Sequence, residues 1–258
     1  MTVLDHARLA SSDLVAAFDL PDAALVNQRV PKKLLVENGA PTTADRKLIQ
    51  DDIEEITWVA ALKPASIGVP EYRDEQRSYL ELAVLSVDLR ETDKVTRLAE
   101  LIHRAIPYPV VLILSDSAEL MLSLAHIRWA QQEADKTVLD GEPSMERLSG
   151  KQSGRSEFLQ ALSLRRQPRT DLYALYQGWI DTLTALQAAS ITGRFVASGS
   201  VEHSAMRRAA LHRCREIESE VARLRLAAEK EKQMARQVAV NLEIKALLAE
   251  RERSAANL

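Results

Sequence analysis

The chain has 258 residues, of which 46% are hydrophobic and 28% charged, with a formal net charge of −3. This composition supplies a core for one ordinary domain plus an extension, or for two small domains, and excludes a uniformly basic nucleic-acid coat. Cys214 is the single cysteine, which excludes an intrachain disulfide and a cysteine cluster for zinc.

The first residues, MTVLDHARLASSDL, lack the basic and apolar regions of a secretory signal. No run of about eighteen apolar residues occurs, so no membrane contact is expected and the chain reads as cytoplasmic. SSDLVAAFDLP predicts a short helix closed by Pro21. VPKKLLVENG places Pro31 in a first helical turn and Gly39 as a C-cap. Threonine caps in TTADRKLIQDD start a helix near Thr43.

From Ile56 the period changes to two, and Ile56, Trp58, Ala60 and Leu62 point one way on a strand stopped by Pro64. SYLELAVLSVDL is the strongest strand, apolar on both faces near its end as a central strand requires. Val95, Leu98, Leu101, Ile102 and Ile106 then mark an amphipathic helix, and VVLILSD another strand. Strand, helix and strand form a crossover, so the two strands run parallel. DSAE turns the chain into LMLSLAHIRWA, which runs antiparallel.

The polar piece EPSMERLSGKQSGRSE reads as a linker, and helices dominate beyond it. From Val201 onward neither Gly nor Pro occurs, and Ile217, Val221, Leu224, Ala228, Ala235, Val238 and Leu242 keep a heptad seam interrupted by Glu231. The seam is rich in alanine and weak. It pairs either with a partner chain or back on the preceding helices, and Ile217, Val221, Leu224, Val238 and Leu242 are taken as a partner interface, with a homo-oligomer one form of it.

The expected architecture is therefore α/β (α+β): a mixed sheet flanked by helices over residues 1–145, a linker and helical segment over 146–200, and a long coiled-coil helix over 201–258.

The chemical motifs are mostly negative. Neither G-x-x-x-x-G-K-[ST] nor a strand-linked G-x-G-x-x-G is present, which argues against a nucleotide phosphate cradle. His6, His103, His126, His203 and His212 contain no i, i+4 pair for a helical zinc site. His103 reads as a core-edge histidine and His126 as facing solvent. DDIEEI clusters Asp51, Asp52, Glu54 and Glu55, and the central strand has Glu81 with no catalytic lysine two residues on. No catalytic residue, metal ligand or cofactor is assigned. Basic clusters are the positive signal: Arg29, Lys32 and Lys33 in one place, and Arg155, Arg165, Arg166 and Arg169 in another, suit phosphate contacts with DNA.

VNQRVPKKLLVENG, then DDIEEITWVAALKP, then IHRAIPYPVVLIL resembles the bacterial family known only as domain of unknown function 4391. The matched region runs from about Leu14 to about Trp129, and Asn27, Arg29, Pro31, Lys32 and Pro107-Tyr108-Pro109 match its pattern. Such proteins are typically encoded beside DNA methyltransferases and large helicases of restriction-like or phage-defence systems. The resemblance thus implies an accessory subunit with those enzymes as partners.

The function expected is a non-enzymatic adaptor. A divergent metal-dependent nuclease using Asp51, Asp52 or Glu81, and a plain scaffold, are the alternatives. Pro107-Tyr108-Pro109 is read first as a rigid helix-to-strand corner, because residues before proline avoid the helical region, and second as a binding groove.

Overall fold

The computed structural model describes residues 9–90, 93–130, 136–148 and 152–258. Helix α1 (Ser11–Ala17) leads to strand β1 (Leu25–Arg29), α2 (Lys32–Gly39), α3 (Thr43–Asp52), β2 (Ile53–Leu62) and the single turn α4 (Pro64–Ile67). A small hairpin, β3 (Tyr72–Arg73) and β4 (Ser78–Tyr79), precedes β5 (Leu82–Leu89), α5 (Val95–Ala105) and β6 (Val110–Ser115). Then come β7 (Leu120–Leu124), the hairpin β8 (Ile127–Trp129) and β9 (Thr137–Leu139), and β10 (Ser144–Arg147). Helices α6 (Arg155–Ala161), α7 (Leu172–Thr192), α8 (Val201–Lys230) and α9 (Met234–Ala255) complete the chain.

The main sheet has the order β1-β2-β5-β6-β7-β10. Its pairings are antiparallel except β5 with β6, which the α5 crossover makes parallel, as the sequence pattern requires. Ala83, Leu85, Val87 and Leu89 of β5 and Val110, Leu112 and Leu114 of β6 bury one face against α2, α3 and α5. The alternate residues Val84, Val111 and Ile113 are buried as well. On that second side Phe18 meets Trp179 edge-on at 5.2 Å, and the Tyr176 hydroxyl donates to the Val110 carbonyl at 2.6 Å. A central strand loaded on both faces is what SYLELAVLSVDL encodes, although Ser78 and Tyr79 leave it to form β4.

The chain divides into two compact units, Met1–Leu183 and Thr184–Leu258, with the boundary inside α7. The segment expected as a linker contains β10, the edge strand paired to β7, and residues 149–151 of it lie outside the described residues. The fold class is as expected, a mixed α/β sheet followed by long helices.

The terminal seam differs in one respect. α8 ends at Lys230, Glu231 to Gln233 are non-helical, and α9 returns antiparallel to α8. Arg213 reaches Glu250 at 2.6 Å and Arg251 reaches Glu218 at 2.7 Å. Ile217, Val221 and Leu224 bury themselves with Ile244, flanked by Val240 and Leu247. Those three of the proposed partner-interface residues are therefore covered by the chain's own α9. Val238 and Leu242 fall on the opposite face of α9, 52% and 64% exposed. The polar run Glu231-Lys232-Gln233 sits where the seam breaks, and reversing there buries Ile217, Val221 and Leu224 against α9.

Candidate functional site

The three segments that carry the family resemblance, remote in sequence, meet at one cavity of about 280 Å³ on the α2–α5 side of the sheet. Its floor is Ala83 and Leu85 of β5, one wall is Trp58 of β2 with Gln28 to Val30, and another is Pro31, Leu34 and Leu35. Ala105 to Tyr108, the end of α5 and the proline corner, close it. Space exists because Ala83 and Ala105 put small side chains where neighbouring positions carry Leu or Ile.

Two backbone irregularities shape the wall. β1 pairs Leu25 with Ala60 but Gln28 with Trp58, so one extra residue bulges out of β1. Asn27 takes φ 49° there, the left-handed region that asparagine tolerates better than most side chains. β2 in turn pairs Trp58 with Leu85 but Ala60 with Val84, a second bulge, and the Trp58 indole N–H donates to the Ala60 carbonyl at 2.8 Å across it. Bulges bend strands and re-aim side chains beside sites. Leu34, 47% exposed, and half-buried Tyr108 stand at the rim.

The first basic cluster has divided duties. The Lys32 ammonium donates to the Gln50 and Ile53 carbonyls at the end of α3, a C-terminal cap. Burial, then Arg90 and Arg29, pull its pKa below the usual lysine value. Within the chain Lys32 therefore serves as a structural cation. Lys33 pairs with Glu37 on its own helix. The Arg29 side chain is 70% exposed and meets Glu55 at 3.5 Å.

The second basic cluster lies elsewhere. Arg165 and Arg169 line a cleft that also holds Asp19 and Asp22. Arg165 pairs with Asp19 at 3.0 Å, and Arg169 donates to the Ile67 carbonyl, capping α4. Arg155 is buried at the start of α6, and Arg166 is exposed.

The carboxylates named for a nuclease do not converge. Glu81 is buried beside the end of β2 and accepts from Lys63 at 3.0 Å. Asp51 and Asp52 precede its other end, where Arg90 binds their carbonyls. Ten strand residues separate the two places, roughly 30 Å. Among the described residues no group of His, Cys, Asp or Glu is placed to hold a metal ion.

His126 is not a free surface histidine. Its Nε2 meets Gln177 Oε1 at 2.9 Å, Gln177 donates to Asp181, and the Tyr79 hydroxyl meets Nδ1 at 2.6 Å. Asp181 fixes the amide orientation, the amide oxygen then requires Nε2–H, and Tyr79 must donate to Nδ1. Tyr173, Tyr176 and Tyr79 pack around the imidazole. No periodicity links these residues, so the cluster is not legible in the sequence. It braces β4, β7 and α7.

The molecule is of the class of mixed α/β domains with an apolar side pocket and a helical tail. Its residues 18–250 match the model of the family described as Domain of unknown function (DUF4391), and the chain belongs to that family. No curated protein and no solved structure matches it. Among the described residues no helix is long and apolar enough to cross a membrane.

Proposed function

We propose that this protein is a non-enzymatic adaptor of a bacterial DNA-modification or phage-defence assembly, which docks a partner protein through the pocket walled by Trp58 and the proline corner. One observation carries this reading: Gln28 to Pro31, Leu34, Leu35, Trp58 and Ala105 to Tyr108 converge on a single apolar cavity with a half-exposed apolar rim. The partners that the family resemblance suggests are the DNA methyltransferase and helicase subunits encoded nearby. In such an assembly the exposed Arg166, beside Arg165, adds a weak phosphate contact.

Co-expression of the chain with those subunits and size-exclusion of the product tests the docking. Leu34→Glu puts a charge on an exposed rim position, so the fold should survive while the complex weakens at least about tenfold. A complex indifferent to Leu34→Glu, or no complex with either subunit, overturns the reading.

A further inference from the structure

Resting on that reading, the chemistry of the pocket identifies what enters it. Its volume of about 280 Å³ is roughly twice the ~150 Å³ cavity that takes up benzene. It falls just short of the ~300–1,000 Å³ sites that enclose whole small-molecule ligands. That size suits one bulky side chain of a larger partner. Polar groups are few: Gln28, Asn38, the Tyr108 hydroxyl and the Arg29 guanidinium.

Charge selects between macromolecular partners. Arg29, Lys32 and Lys33 are opposed by Glu37, Glu54 and Glu55, and Lys32 is spent on backbone carbonyls. A polyanionic strand gains little from so balanced a surface, because its binding scales with the number of phosphates neutralised. A single carboxylate gains more: Arg29 is largely exposed, and its 3.5 Å contact with Glu55 is easily exchanged.

We infer that the pocket is the anchor site for a partner protein segment that presents one bulky apolar side chain, aromatic by preference, next to an acidic residue. The apolar group lies against Trp58, Leu85 and Ala105, and the carboxylate accepts from Arg29. Aromatic anchors in well-desolvated pockets carry most of the energy at such contacts, and a rim charge adds selectivity.

The probes are 3-(indol-3-yl)propionate, its primary amide and a twelve-nucleotide oligothymidylate, titrated against the full chain by ligand-observed NMR. The carboxylate should bind about two- to fivefold more tightly than the amide, the range an exposed ion pair supplies. Arg29→Gln should erase that ratio while keeping amide binding, and Leu34→Glu should weaken both; unchanged circular dichroism confirms that the variants fold. Equal affinity for acid and amide, no binding of either, or displacement of the indole by the oligonucleotide overturns the inference. The adaptor reading fails separately, on a complex that ignores Leu34→Glu whatever the probes do.

Discussion

His103, on the inner face of α5, is almost wholly buried, with Nε2 3.0 Å from the Ser123 hydroxyl and Nδ1 without a hydrogen-bond partner. Burial drives its pKa from an ordinary 6.5 down to about 3, so the folded chain holds the imidazole neutral. The unfolded chain binds a proton that the folded chain refuses, and stability must therefore fall as pH drops below about 6.5. The slope approaches ~1.4 kcal/mol per pH unit and persists toward pH 3. Asp45, held near pKa 2 by Arg97 and Thr42, works in the same direction only below its ordinary 3.8. Urea midpoints between pH 7.5 and 5.0, compared with those of a His103 variant, read the histidine contribution. The wild type should lose stability over that window more steeply than His103→Leu; equal slopes would show that this imidazole accepts its proton without unfolding.

At the scale of elements, α2 lies against α5 closely enough that a Cβ on Gly39 would sit 2.6 Å from both the Ala105 Cβ and the Leu101 carbonyl. Gly39 is the last residue of α2, and its smallness is what the contact needs. Gly39→Ala gains up to ~1 kcal/mol in helix propensity but must push the helices apart. Overpacking of this kind costs ~1–3 kcal/mol. A fall of several degrees in Tm is expected, with weaker indole binding because Leu35 and Ala105 wall the pocket. An unchanged Tm would mean that the interface yields freely.

Much of this level was legible. The proline corner, the parallel β5–β6 crossover and the β6–β7 turn follow from local pattern, since Pro107 and Pro109 constrain their neighbours directly. The two bulges were not legible, because Asn27 and Val59 look like ordinary strand residues and only the pairing partners reveal the extra one. The pocket escaped notice for the same reason: Ala83 and Ala105 read as core alanines, and only the register of α5 over β5 turns their smallness into space.

The whole chain combines two modes of stabilisation. The first unit closes a sheet over long-range contacts; in the second, the α8–α9 hairpin rests on a small apolar seam of Ile217, Val221, Leu224 and Ile244. The heptad seam was readable, but its partner was not: heptads record that a helix is covered and not by what, and only the polar break at Glu231 hinted at a reversal. All three tryptophans, Trp58, Trp129 and Trp179, belong to the first unit. Tryptophan emission therefore reports the sheet unit alone, while ellipticity at 222 nm reports the 30- and 22-residue helices α8 and α9 as well. With its apolar cluster limited to four buried residues along one helix seam, the hairpin should melt at lower denaturant, so ellipticity should fall before emission moves. Val221→Asp buries a charge in the seam and should shift the ellipticity transition to lower urea while leaving the emission transition in place. Its elution volume should match the wild type's, since Val221 is covered within one chain. Coincident transitions by both probes, moving together in the variant, would instead mean that α7, continuous across the boundary, welds the two units into one cooperative fold.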